Sequence, residues 1–224
     1  MYSKCIIFGA GDLYITELTV HKNTLIIVAD GGIYHTEKLG ITPDIVLGDF
    51  DSSDIKNSPK DNLVFPTEKD YTDMFLAIEH AYKQGVRKFD IYGALGGKRI
   101  DHTIANLQIL EYFSKLNCKI ILHGENQIIT AVSAISGVAA RVQFNDSYSG
   151  YISLFATGDN VLGLTVTGLK YNLFDYALTP SFPIGVSNEF CGEKCTITFS
   201  SGTLLMVIQN QNFENNFTIT KGDK

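Results

Sequence analysis

Tryptophan is missing from this chain of 224 residues, arginine occurs only at Arg87, Arg99 and Arg141, and proline is limited to five positions. Charged side chains make up 19%, below the usual quarter, yet 45% of the residues are hydrophobic. That balance argues against intrinsic disorder and low-complexity chain. No apolar run approaches the ~18 residues that a membrane-crossing helix needs. The opening MYSKCIIFGAGDLYITEL has no long apolar core and no small-residue cleavage site, so it reads as a first strand and not as a secretion signal. The formal charge of -6 leaves no basic face for nucleic acid. An acidic protein still binds phosphates when a divalent cation stands between its carboxylates and the ligand. The four cysteines, Cys5, Cys118, Cys191 and Cys195, form no C-x-x-C pair and have no histidine cluster beside them. This is the pattern of inert thiols in a reducing compartment, hence the cytoplasm, and not of a zinc site.

Short apolar runs bounded by Gly, Asp or Pro recur through the first part: Cys5 to Phe8, Leu25 to Ala29, Ile45 to Leu47, Leu63 to Phe65, Phe89 to Tyr92 and Lys119 to Leu122. They have strand length and are too uniformly apolar to alternate, as expected of strands covered on both faces. Between Asp70 and Gln84 the apolar positions Tyr71, Met74, Phe75, Ile78, Ala81 and Tyr82 form one helical stripe, with Gly85 as a stop. A second helix is expected from Ile100 or Asp101 to Leu116, ended by Asn117. Strands alternating with helices imply a mostly parallel sheet.

The texture changes near residue 133. Only five of the 18 basic and seven of the 24 acidic side chains fall after residue 134. The runs Tyr151 to Phe155, Cys195 to Phe199, Leu204 to Ile208 and Phe217 to Thr220 alternate like half-buried antiparallel strands. The expected architecture is therefore α/β: an N-terminal, mostly parallel sheet flanked by helices over residues 1–133. A smaller all-β sandwich or barrel-like domain follows over 134–224.

Four acidic segments lie at or near strand ends. They are Asp30-Gly31-Gly32; Gly48-Asp49-Phe50-Asp51-Ser52; Glu68-Lys69-Asp70-Tyr71-Thr72-Asp73; and Gly96-Gly97-Lys98-Arg99-Ile100-Asp101-His102. In an open parallel sheet the carboxyl ends of the strands share one edge, where ligands bind. Acids gathered there repel one another unless a cation joins them, and Mg²⁺ with its oxygen ligands is the simplest candidate.

Each segment also has an ordinary reading. Asp30-Gly31 by itself is a strand-ending turn. Asp49 and Asp51 flank Phe50, so strand alternation points both carboxylates one way, but D-x-D serves turns as readily as metal–phosphate sites. Asp70 and Asp73, one helical turn apart, are expected on one face, where they also suit the dipole of a helix start. Gly96 and Gly97 can offer N–H groups beside a helix start, and Arg99 a forked phosphate donor. His102 and Asn106 lie a turn apart, and His102 either orients a ligand or a carboxylate or serves the structure. Standard nucleotide motifs fit poorly. Gly9-Ala10-Gly11 follows the first strand, yet Tyr14 occupies the third glycine position of the dinucleotide fingerprint. Gly93 to Arg99 lacks the order of a phosphate-binding loop, and there is no G-x-S-x-G elbow.

Taken together, ADGG (Ala29 to Gly32), PDIVLGDFDS (Pro43 to Ser52), EKDYTDMFLAI (Glu68 to Ile78), GALGGKRIDHTIANLQIL (Gly93 to Leu110), GLKYNL (Gly168 to Leu173) and GVSNEF (Gly185 to Phe190) resemble the thiamine pyrophosphokinases. The resemblance implies transfer of a diphosphoryl group from ATP to the hydroxyl of thiamine, with AMP released, by a homodimer that binds neither nucleic acid nor membrane. It implies Asp49, Asp51, Asp73 and Asp101 as Mg²⁺ ligands, with Asp70 and Arg99 beside them in catalysis. It places Asp30, Lys69, Arg99, His102 and Asn106 on the ATP side, and Ser187 and Asn188 on the thiamine side. Two departures stand out: Lys98 is inserted between the glycines and Arg99, and Asn172 replaces a common proline. The rival readings are a pterin pyrophosphokinase-like or D-x-D-type metal-dependent transferase, and a thiamine-binding module without catalysis.

Overall fold

The computed structural model describes residues 1–48, 61–64, 70–135, 137–209 and 217–221. The chain divides into two compact units: residues 1–109 with 120–125, and residues 110–119 with 126–224.

In the first unit the strands are β1 (Lys4–Phe8), β2 (Thr24–Ala29), β3 (Ile45–Gly48), β4 (Asp61–Val64), β5 (Lys88–Tyr92) and β6 (Lys119–His123). They lie in the order β6-β5-β1-β2-β3-β4. The pairs β1/β2, β1/β5, β2/β3 and β3/β4 are parallel. Cys5 to Phe8, Leu25 to Ala29 and Ile45 to Leu47 are buried throughout, which explains why their sequences do not alternate. β1 stands between β2 and β5, so the chain order reverses beside it. That reversal opens a crevice at the carboxyl ends of the strands.

Helices α1 (Ile33–Leu39), α2 (Asp73–Lys83) and α3 (Ile100–Lys115) follow β2, β4 and β5. Thr72 caps α2: its Oγ1 accepts the N–H of Phe75 at 3.2 Å. Met74, Ala77, Ile78 and Ala81 are buried along one side, as the stripe requires. Each described helix closes in the same way, with a left-handed residue just past its end: Gly40 (φ 64°), Gly85 (φ 91°) and Asn117 (φ 61°). In each case at least two N–H groups turn back on the last carbonyls, as when Asn117 donates to Ser114 and Cys118 to Phe113. One expectation is corrected here. The helix begins at Asp73, after its Thr72 cap, so Asp70 precedes it, and the two acids do not share a helical face.

The second unit is antiparallel. Its strands are β7 (Gln127–Ser133), β8 (Ala140–Phe144), β9 (Tyr151–Thr167), β10 (Leu173–Leu178), β11 (Asn188–Glu189), β12 (Cys195–Phe199), β13 (Ser201–Gln209) and β14 (Phe217–Lys221). They run β14-β8-β12-β9-β13-β7, with β10 and β11 paired to β9. The alternating burial of β8, β12 and β13 matches their alternating sequences. β9 is far longer than its apolar run suggested. Its first half pairs with β13 and its second half with β12 and β10, and a register shift lies opposite Gly202. A Cβ on Gly202 would meet the Asn160 carbonyl oxygen at 2.4 Å, so glycine is what lets the two strands stay together there.

Candidate functional site

Three loops leave the carboxyl ends of β1, β2 and β5, and small residues let them nest. After β1, the N–H of Gly9 donates to the carbonyl of Tyr92, that of Gly11 to Gly93 at 2.7 Å, and that of Asp12 to Leu95 at 2.9 Å. A Cβ on Gly9 would come within 2.6 Å of the Gly93 oxygen, so no larger residue allows this approach. His35 on α1 ties down the same loop by donating from Nε2 to the Gly11 carbonyl at 2.8 Å. After β2, Asp30 takes a left-handed conformation (φ 54°) and opens a 3-10 turn over Asp30–Gly32.

These loops, the start of α2 and the start of α3 line a cleft of about 500 Å³. Asp30, Asp73, Lys98, Arg99, His102 and Asn106 are among its walls. Residues separated by more than seventy positions in the sequence are thus brought to one edge. β3 ends at Gly48, where a Cβ would stand 3.5 Å from the Asp30 Cα, so the chain reaches the cleft rim just before Asp49. Asp49, Asp51 and Lys69 themselves lie outside the described residues.

Arg99 and Asp101 form a forked ion pair: Nε lies 2.9 Å from Oδ1 and Nη2 2.6 Å from Oδ2. Both side chains are exposed. The hydrogen bonds from Arg99, helped by its charge, outweigh the effect of burial and draw the Asp101 carboxyl down to about 2, so it is ionised at any working pH. Asn106 is buried and turns its amide inward, donating from Nδ2 to the Ala94 carbonyl at 2.7 Å. It braces the loop after β5. Asp70, exposed just before the α2 cap, is not among the cleft walls. Among the described residues no three acids, histidines or cysteines are grouped to hold a metal. The donors that do reach the cleft, Asp30 and Asp73, are carboxylates, the ligand type of a hard divalent cation.

The second unit presents its own polar cluster. Asn188 Oδ1 accepts the N–H of Tyr171 at 3.0 Å and its Nδ2 donates to the Tyr171 carbonyl at 2.7 Å. Ser187, left-handed at φ 58°, donates its N–H to Ser153 Oγ at 3.0 Å. Lys170 and Glu189 form an ion pair at 2.8 Å. Asn172 Oδ1 accepts the N–H of Leu169, closing the turn with a side chain where a proline would use its ring. The outcome is a Tyr171 ring that is 62% exposed on a backbone held at both its N–H and its carbonyl. Sequence reading did not single out this ring. Nor did it give a role to the loop after β1, which was weighed only as an imperfect dinucleotide motif. Two glycines directly after a buried strand were the available signal.

Comparison with known proteins adds a separate line of observation. Residues 16–122 match the family described as thiamin pyrophosphokinase, catalytic domain, and residues 140–204 match thiamin pyrophosphokinase, vitamin B1 binding domain. The thiamine pyrophosphokinase of Bacillus subtilis (strain 168) is 30% identical over 211 residues, covering 90% of this chain and 96% of the relative. A crystal structure of thiamine pyrophosphokinase from Bacillus subtilis superposes with a TM-score of 0.80 at 30% identity, over 93% of this chain and 99% of that one. A thiamin pyrophosphokinase structure from Geobacillus thermodenitrificans gives 0.75 at 25% identity, over 94% and 99%.

Proposed function

The chain belongs to the thiamine pyrophosphokinase family and is a thiamine diphosphokinase acting on thiamine and ATP, and from that premise we propose how its residues divide the reaction. The observation that carries the proposal is the cleft at the carboxyl ends of β1, β2 and β5, which gathers Asp30, Asp73, Arg99 and His102 from distant stretches of chain.

The first unit holds ATP, with Asp30, Lys69, Arg99 and His102 facing the nucleotide and Asn106 keeping the loop after β5 in place. Asp49, Asp51, Asp73 and Asp101 are the proposed Mg²⁺ ligands, an all-carboxylate set that suits this cation. Bound Mg²⁺ supplies charge neutralisation on the phosphate oxygens. Thiamine is held by the second unit, where Ser187 and Asn188 present polar groups and the Tyr171 ring offers a flat face for an aromatic heterocycle. The thiamine hydroxyl oxygen attacks the β-phosphorus of ATP. The bond from that phosphorus to the α,β-bridging oxygen breaks, and AMP leaves with the electron pair. A carboxylate of the Asp70–Asp73 stretch receives the hydroxyl proton. Arg99 stabilises charge that grows on the phosphate oxygens, and the rest of the catalysis is positioning. The functional division at residues 133/134, a homodimeric assembly and a cytoplasmic location complete the proposal. The location is supported by four free thiols, of which Cys5, Cys118 and Cys195 are buried.

Two substitutions test the division. Arg99→Ala is expected to raise the KM for ATP about tenfold or more and leave the KM for thiamine unchanged, as fits loss of a charge-assisted contact. Tyr171→Ala is expected to do the reverse, at about tenfold, through loss of a stacking face. Steady-state kinetics with each substrate varied in turn reads both. If each variant weakens the other substrate, or neither, the assignment of substrates to units is wrong.

A further inference from the structure

The diglycine of the loop after β5 is left-handed twice in succession, at Gly96 (φ 72°) and Gly97 (φ 73°), and delivers the chain to Lys98 and Arg99. Backbone bonds from the loop after β1 hold Tyr92, Gly93 and Leu95, but they stop short of the diglycine. Among the described residues, the hydrogen bond that reaches it comes from a side chain: Asp12 Oδ2 accepts the N–H of Gly97 at 2.9 Å. The same oxygen accepts the hydroxyl of Tyr14 at 3.2 Å. The carboxylate also packs directly on the neighbouring glycine, since a Cβ on Gly96 would stand 2.1 Å from Oδ2. Asp12 itself is fixed by its own N–H, which donates to the Leu95 carbonyl at 2.9 Å.

A flexible pair of glycines next to two cations has a large conformational entropy to lose when a ligand binds. A carboxylate that already holds one of its amides removes part of that cost before the ligand arrives. We propose that Asp12 is a positioning residue for ATP: through Gly97 it sets the shape of the diglycine loop and hence the direction in which Lys98 and Arg99 meet the phosphates. Asp12 does not touch the nucleotide in this role, and Tyr14 steadies the carboxylate from the other side. The inference rests on the reading of the cleft as the ATP site.

The test compares Asp12→Ala and Asp12→Asn with Arg99→Ala in one set of kinetic assays, together with melting temperatures. Asp12→Ala is expected to raise the KM for ATP about tenfold, as for one lost charge-assisted hydrogen bond, with the KM for thiamine and the melting temperature unchanged. Asp12→Asn, which keeps an acceptor oxygen at the same place, is expected to restore most of the loss. Three results overturn the proposal: an ATP KM unaltered or improved in Asp12→Ala, no rescue by Asn, or a joint rise of both KM values with a fall in melting temperature. If Arg99→Ala weakens ATP while Asp12→Ala does not, only the role of Asp12 falls. If neither affects ATP, the reading of the cleft falls with it.

Discussion

Asp73→Asn is expected to lower kcat about a thousandfold while the protein stays folded. This carboxylate has two separable jobs. As the first residue of α2 it complements the helix dipole, a surface effect of about 0.3–1 kcal/mol, and the Thr72 cap that closes the helix start is untouched. On the reading of this cleft wall as an Mg²⁺ ligand, its negative charge holds the cation that neutralises the phosphates, and loss of one such electrostatic group typically costs about 10²–10³ in rate. The amide keeps the shape and removes the charge. Asp49→Asn and Asp51→Asn are expected to behave alike on the reading of both as metal ligands. Steady-state turnover beside a thermal melt decides the matter, and near-normal activity in any of the three removes that residue from the metal site.

The second large effect is on stability. Asp90 lies in the middle of β5, only 4% exposed, where Lys4 and His123 both reach its carboxylate; His123 Nε2 stands 2.6 Å from Oδ1. The His123 ring in turn stacks on Tyr92, the residue that leads into the loop of the cleft. Asp90→Ala is expected to destabilise the protein by about 3 kcal/mol, because it removes a buried carboxylate that both His123 and Lys4 reach. Against a typical total of about 5–15 kcal/mol this is a large fraction. The pH dependence follows from the direction of the shift. Burial alone would raise the Asp90 carboxyl, but the hydrogen bond and charge of His123, and then those of Lys4, outweigh it and hold the group below its usual value. A carboxyl depressed in the folded state gives its full stability above the unfolded value near ~4, and loses it as pH falls through the folded value. The contribution of the Asp90 carboxylate to the gap between wild type and Asp90→Ala should therefore be lost in strong acid, as the pH falls through the lowered folded value. Denaturant unfolding from neutrality into strong acid measures it. A gap that persists undiminished in strong acid contradicts the assignment.

Much of the architecture was written in local signals. The uninterrupted apolar runs of β1, β2 and β3 announced strands buried on both faces, and Asn117 announced the end of α3, because each signal acts over a few residues. The edge where Asp30 and Asp73 meet followed from parallel strands alone, whose carboxyl ends must lie together. Other features depended on contacts that no local pattern records. α1 has seven residues, too short to show a stripe, and is made by packing on the sheet. β9 runs on through Gly158-Asp159-Asn160, where its pairing with β13 shifts register, although its apolar run stopped at Phe155. The helical spacing that joined Asp70 to Asp73 gave way to the Thr72 cap. Asp12 found its role through Gly97, 85 residues away, and Asp90 is a charge inside an apolar strand that only Lys4 and His123 make tolerable.

The central claim is that carboxylates and Arg99 at one edge of the parallel sheet support attack on the β-phosphorus of ATP. Its most direct test is a product count with purified protein, thiamine, ATP and Mg²⁺, repeated with the cation chelated. One AMP is expected for each thiamine diphosphate formed, with no turnover once Mg²⁺ is withdrawn. Formation of ADP with thiamine monophosphate, or equal turnover without a divalent cation, would contradict it.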